Sequence, residues 1–167
     1  PTGEIMAGAG FGTSGATTTF GVKENNYLGK GISLDANLTI DESSLKGKFM
    51  FTNPNFRNSD KSIYGSVQSL EINKLTDFGY KTNKSGFSFG SQFELYDDLN
   101  FGIGIETLYE VIDTDSTASS LQKKQKGSYF DNFLDLSFDY DKRNQRFQTS
   151  EGFRNFFSTS IPVFSET

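Results

Sequence analysis

The stretch Phe130-Asp131-Asn132-Phe133-Leu134-Asp135-Leu136-Ser137-Phe138-Asp139-Tyr140-Asp141 decides how the chain reads. Asn132, Leu134, Leu136, Phe138 and Tyr140 fall on one face of an extended strand, and Asp131, Phe133, Asp135, Ser137 and Asp139 on the other. Successive side chains of a strand point to opposite sides, so this period of two marks a pleated strand and not a helix. Counting Asp141, the wet face carries four carboxylates. A polar turn over 142–152, relieved by Phe147, leads to a second limb running to Ile161. A soluble sandwich would bury the oily face against another sheet. A membrane barrel would turn it to lipid and leave the carboxylates in a wet lumen.

Composition favours the second arrangement. Only 34% of the 167 residues are hydrophobic, yet 18 are Phe, 7 are Tyr and 17 are Gly. Few aliphatics with many aromatics and glycines suit strands whose alternate positions stay polar. They suit a helical core poorly, because Gly costs up to about 1 kcal/mol per helical position relative to Ala. The net charge of −5 offers nucleic acid no general attraction. The chain has neither Cys nor His, which removes disulfides, thiolate sites, most hydrolase triads and most zinc sites. No cofactor or metal is expected. No apolar run approaches the roughly 18 residues of a membrane helix, a test that strand-built membrane proteins escape.

The same alternation recurs along the chain. Strands are expected at Gly3–Phe11, Ala16–Lys23, Ile32–Ile40, Leu45–Thr52 and Ser62–Asn73, the last with an uncertain phase that a bulge would resolve. Further strands follow from Phe87 to Leu95 and from Phe101 to Val111, before the two limbs described above. Between them lie a tight turn at Gly12–Gly15, turns at Glu24–Gly31 and Asn53–Asp60, a polar loop over 75–85, a hairpin at Tyr96–Asn100 and a long mobile loop over 113–127. The fold class is all-β: an antiparallel up-and-down meander of about nine strands. The longer loops are expected at one end, and compact turns carrying Tyr27, Phe56, Tyr96 and Phe147 at the other, where aromatics fit an interfacial girdle.

Three of those turns resemble one family. Glu24-Asn25-Asn26-Tyr27-Leu28-Gly29-Lys30-Gly31, Thr52-Asn53-Pro54-Asn55-Phe56 and Phe147-Gln148-Thr149-Ser150-Glu151-Gly152-Phe153-Arg154 are similar to the first, the next and a later periplasmic turn of the outer-membrane protein assembly factors of the BamA type, in the bacterial surface antigen superfamily. Ile161-Pro162 resembles the end of the strand that follows. The resemblance makes Asn26, Tyr27, Leu28, Gly29, Gly31, Asn53, Pro54, Phe56, Phe147, Thr149 and Gly152 the turn-motif residues. It implies that residues 1–167 are the N-terminal half of a larger, sixteen-stranded transmembrane barrel in the cell outer membrane, with POTRA domains and later strands outside the chain. An odd strand count agrees with a part of a barrel, since single-chain bacterial barrels have even counts.

The resemblance further implies a protein that is not an enzyme and that inserts and folds other outer-membrane proteins. Its partners would be the lipid bilayer, unfolded outer-membrane proteins and accessory lipoproteins held by the POTRA domains. The first barrel strand would act as the seam at which a substrate strand pairs, here Glu4, Ile5, Met6, Ala7, Gly8, Ala9, Gly10 and Phe11. Alternatives from the residues are a porin-like passive channel with an acidic lumen, a related translocation or surface-antigen barrel, and a soluble lipocalin-like binder with its oily face inward. The carboxylates Glu94, Glu106, Glu110, Asp131, Asp135 and Asp139 are expected to hydrate a lumen and to meet Lys46, Lys48 or Arg154, not to form a glycosidase pair. Glu110, Asp113 and Asp115 lack the loop spacing of a calcium site.

Overall fold

A computed structural model describes residues 3–12, 15–145 and 147–166. The expected tight turn at Gly12–Gly15 has its two central residues outside that set, as is Arg146 in the later turn. The described residues form one nine-stranded sheet in strict chain order. Its strands are β1 (Gly3–Gly12), β2 (Gly15–Tyr27), β3 (Ile32–Asp41), β4 (Ser44–Asn53), β5 (Ser62–Lys74), β6 (Tyr80–Tyr96), β7 (Leu99–Thr114), β8 (Gly127–Asp141) and β9 (Arg154–Glu166). Every neighbouring pair is antiparallel. A one-turn helix α1 (Leu75–Phe78) joins β5 to β6, and a short helix α2 (Ser120–Lys124) lies between β7 and β8.

Several strands outrun their alternation. β2 continues through Tyr27, so the turn expected from Glu24 narrows to 28–31. β6 starts at Tyr80, and the loop expected over 75–85 shrinks to α1 and Gly79. Lys81–Ser85 are polar on both faces, which hides a strand from a test based on alternation, yet each pairs with both neighbours. β5 keeps one register from end to end on both sides, so the suspected bulge there does not exist. β9 runs through Pro162 to Glu166 instead of ending at Ile161; a register shift opposite Asn132/Phe133 accommodates the Pro, which cannot donate to the ladder.

The loop after β7, expected to be mobile, is folded around α2. Ser119 and Gln122 form a reciprocal capping box there, and Ala118 is the one buried apolar side chain among the described residues. Loop length does not sort by end either, because the 142–153 connection spans as many residues as 115–126.

The sheet has no core of its own. It exposes 11506 Å², against about 8,200 Å² for a compact monomer of this mass. It is also staggered. One hydrogen-bonded row runs Glu24, Leu34, Phe51, Gly65, Phe89, Ile105, Leu134, Ile161. That row lies three residues from the end of β2 at Tyr27 but seven from the start of β9 at Arg154. Such stagger is what tilted strands in a barrel wall require.

Candidate functional site: an apolar face, a polar wall and a bare edge

Register resolves the two faces across all nine strands. Ile5 and Ala7 pair with Val22 and Phe20, and these with Ala36 and Leu38. Phe49, Val67, Phe87 and Thr107 continue one row on the same side, and Phe93, Phe101, Phe138 and Phe157 another. Their rings touch in sequence, Phe93 edge-on to Phe101 at 5.6 Å and Phe101 to Phe138 at 5.0 Å. Among the described residues this face holds charge only toward the strand ends, at Glu24, Glu71, Lys81, Asp113 and Glu166. Three of these charges sit in ion pairs, Lys81 with Glu71 at 2.7 Å and Asp113 with Lys126 at 2.9 Å. Phe20, Val22, Phe87, Phe89 and Ile105 stand about half exposed, with no second layer over them among the described residues. The lipocalin-like reading, which needs this face turned inward, is thereby overturned.

The opposite face is polar and closely knit. Tyr64 on β5 lies across Gly90 on β6 and reaches Gly104 on β7; a Cβ at either glycine would collide with its ring or hydroxyl. Ser66 and Ser88 share a 2.6 Å hydrogen bond, and Ser160 donates to Asp135. Tyr64, Glu106, Asp135, Ser137 and Ser160 border a recess of about 520 Å³. Nearer the 142–153 turn, Asp60, Gln92, Asn100, Asp139, Asp141 and Arg154 border another of about 390 Å³. There the Arg154 guanidinium grips Asp139 through two 2.7 Å bonds, the lumenal pairing expected of Arg154. Asp113 and Asp115 do not converge: Asp113 meets Lys126, and Asp115 accepts from the Thr117 amide and hydroxyl.

The turn-motif residues gather at one end of the sheet. Asn26 Oδ1 accepts the Gly31 amide at 2.7 Å, closing a turn in which Leu28, Gly29 and Gly31 all take left-handed backbone. Asn53 Oδ1 accepts the Asn55 amide across Pro54, and Phe56 N–H bonds back to the Lys61 carbonyl. In the third turn Thr149 donates to the Gln145 carbonyl, and Lys142 and Asn144 pair with Phe153 and Glu151. Gly152 sits at φ +93°, where a Cβ would strike the Lys142 carbonyl. Phe147 projects into the open at 80% exposure.

Residues Glu4 to Phe11 lie on β1, which like β9 is an outermost strand of the described sheet. β1 pairs with β2 alone, every described residue of it is exposed, and nothing lies within 4 Å of a Cβ built on Gly8, Gly10 or Gly12. Sequence reasoning missed the Tyr64–glycine contacts; the only signal was that Gly86, Gly90, Gly102 and Gly104 all fall on the wet face.

Residues 26–165 match the Omp85 superfamily domain. The chain belongs to the Omp85 superfamily. Its sheet is also similar to the crystal structure of BamA from Haemophilus ducreyi lacking POTRA domains 1–3, with a TM-score of 0.63 at 21% identity. That match covers 97% of this chain and 34% of the other, so the chain spans about a third of that structure's length. At this identity the likeness speaks for the fold, an up-and-down Omp85 meander of the kind that closes into a barrel. In a membrane barrel of this fold the unsheltered aromatic face would be the lipid side and the Tyr64 face the lumen side.

Proposed function

We propose that this Omp85 chain is a section of an outer-membrane barrel that inserts and folds other β-barrel proteins, with β1 as the strand on which a substrate strand pairs. The observation carrying the reading is β1 itself. Nothing lies within 4 Å of a Cβ built on its Gly8 or Gly10, so side chains leave its backbone uncovered, and a strand so bare is a template for strand addition. The chemistry asked of the protein is pairing and release, with no bond made or broken, in keeping with the lack of His and Cys. Substrates would be unfolded outer-membrane proteins, and accessory lipoproteins would act through POTRA domains elsewhere in the polypeptide.

Site-directed disulfides test this in the full-length protein in cells. Cys introduced at Ala7 or Ala9 should cross-link to Cys in the terminal strand of a substrate caught during assembly, whereas Cys at Thr39 on β3 should not. Absence of cross-links along all of β1, with normal levels of other outer-membrane proteins after depletion, would sink the reading. A passive channel is the second reading. It is favoured by Glu106, Glu110, Asp131 and Asp135 on the lumen side of β7 and β8, which would prefer cations. Depletion without an assembly defect, together with stable cation-selective conductance, would select it.

A further inference from the structure

At the turn-motif end of the apolar band, a groove of about 370 Å³ opens between the chain entering β5 and the end of β6. Asp60, Lys61, Phe93, Glu94, Tyr96 and Asp97 border it. β5 begins with Ser62 opposite Gln92, so Lys61 stands just beyond the ladder, on the side of Phe93. Its ammonium lies 5.8 Å from the centre of the Phe93 ring. Phe93 in turn packs edge-on against Phe101 in the aromatic row of the apolar face. Leu95 also borders the groove, and both it and Tyr96 stay exposed. The groove therefore has an apolar floor continuous with the oily face and a charged rim.

The rim charges do not settle one another. At the same end of the sheet Lys142 holds Asp98 at 2.6 Å, Arg143 holds Asp141 at 2.7 Å and Arg154 holds Asp139 at 2.7 Å. Lys61 holds no carboxylate among the described residues, and its ammonium has only the Phe93 ring. Asp60 and Asp97 make neither a hydrogen bond nor an ion pair among the described residues. Glu94 accepts the Asp98 amide at 2.9 Å. Three carboxylates thus surround one ammonium. A simple anion would be drawn to Lys61 and repelled by the rest. A group carrying both signs side by side satisfies the whole rim, its anion on Lys61 and its cation on Asp60 and Asp97.

We propose that this groove is a binding site for one phosphoethanolamine lipid, with Lys61 on the phosphate, Asp60 and Asp97 on the ammonium, and Phe93, Leu95 and Tyr96 against the glycerol and first acyl carbons. The proposal rests on the membrane reading of the apolar face, and the experiment separates the two. Lys61 suits its part because a Lys stem lies along apolar surface while its charged end reaches the polar layer. The carboxylates give the selectivity. A primary ammonium donates three hydrogen bonds to them, and the trimethylammonium of phosphatidylcholine has no N–H to donate. Phosphatidylglycerol brings the phosphate without any cation, and Asp60 and Asp97 disfavour it.

The chain has no Trp, so Tyr96→Trp places one reporter at the groove and Ile105→Trp one in mid-band, with any Trp elsewhere in the full-length protein replaced by Phe. Each protein is reconstituted into phosphatidylcholine vesicles that contain a small fraction of acyl-brominated phosphatidylethanolamine, phosphatidylglycerol or phosphatidylcholine. The Tyr96→Trp reporter should be half quenched at a fraction of brominated phosphatidylethanolamine about fivefold lower than of the other two, the reach of a surface ion pair. The Ile105→Trp reporter should not distinguish the headgroups. Lys61→Gln or Asp97→Asn, added to Tyr96→Trp, should abolish the preference. Equal quenching of Tyr96→Trp by all three lipids, a preference for another headgroup, or a preference that survives both substitutions overturns the proposal, while quenching of Ile105→Trp keeps the membrane reading. If bromolipid quenches neither reporter, the membrane reading falls and takes the proposal with it. Should the Trp variants not insert, native mass spectrometry of the full-length protein decides. Retention of phosphatidylethanolamine over phosphatidylglycerol that Lys61→Gln removes supports the site, and equal retention overturns it.

Discussion

Ile105 and Ser137 lie on adjacent strands and face opposite media. Ile105 is on the apolar side in mid-strand, and Ser137 borders the polar recess with Tyr64. Ile105→Arg should lower the stability of the inserted protein by about 2–4 kcal/mol near the midplane, while Ser137→Arg should be mild. Urea unfolding in vesicles measures both, and equal costs would mean that the faces see the same solvent. Glycines divide in the same way. Gly152→Ala puts a side chain at φ +93° against the Lys142 carbonyl and should cost roughly 1–3 kcal/mol. Gly8→Ala meets nothing within 4 Å and should stay within about 0.5 kcal/mol of neutral. Gly90→Ala should displace the Tyr64 ring, which a changed Tyr64 side-chain resonance would report. The need for Gly90 was hidden in the linear order, since the ring that fills its place comes from residue 64 on the next strand.

Strands were legible wherever one face is oily and the other wet. Ile32–Ile40 and Phe130–Tyr140 alternate cleanly; the first emerged within a residue of its bounds, and the second only three residues longer at its start. Legibility failed beyond the band, where both faces are wet and alternation carries nothing: Lys81–Ser85 and Glu24–Tyr27 are paired strand that reads as loop. The folded loop 115–126 was equally hidden, because its order rests on short-range capping. Asp115 there accepts the hydroxyl of Thr117 at 2.6 Å and its amide at 2.7 Å. These two bonds hold its carboxyl below the ordinary value. A carboxyl lowered on folding stabilises above its unfolded pKa, about 3.9, and that contribution is lost as pH falls through the lower folded value. The protection of the Thr117 and Ala118 amides, relative to their intrinsic exchange rates, should therefore be full at neutral pH and fall as pH drops below the ordinary carboxylate range. Asp115→Asn should weaken the protection already at pH 7.

For the whole molecule, the surface exposed beyond that of a compact monomer is a statement about surroundings. Separated from bilayer and detergent, the chain should associate through its aromatic face, seen as large species in sedimentation that detergent disperses. A small monomer stable in buffer would contradict the assignment of that face. The turns were readable from their motifs. What joins them, a staggered wall with one lipid side, needed the register of all nine strands.

Strict chain order also has a kinetic meaning. Each strand finds its partner a short loop away, so the wall can zip up hairpin by hairpin and no early step has to bring distant segments together. The entropy of joining remote parts of the polypeptide is deferred to ring closure, and it grows only slowly with the length enclosed. A meander of this kind can therefore exist for some time as a half-built rim, complete in its hydrogen-bond ladder except at its two outermost strands.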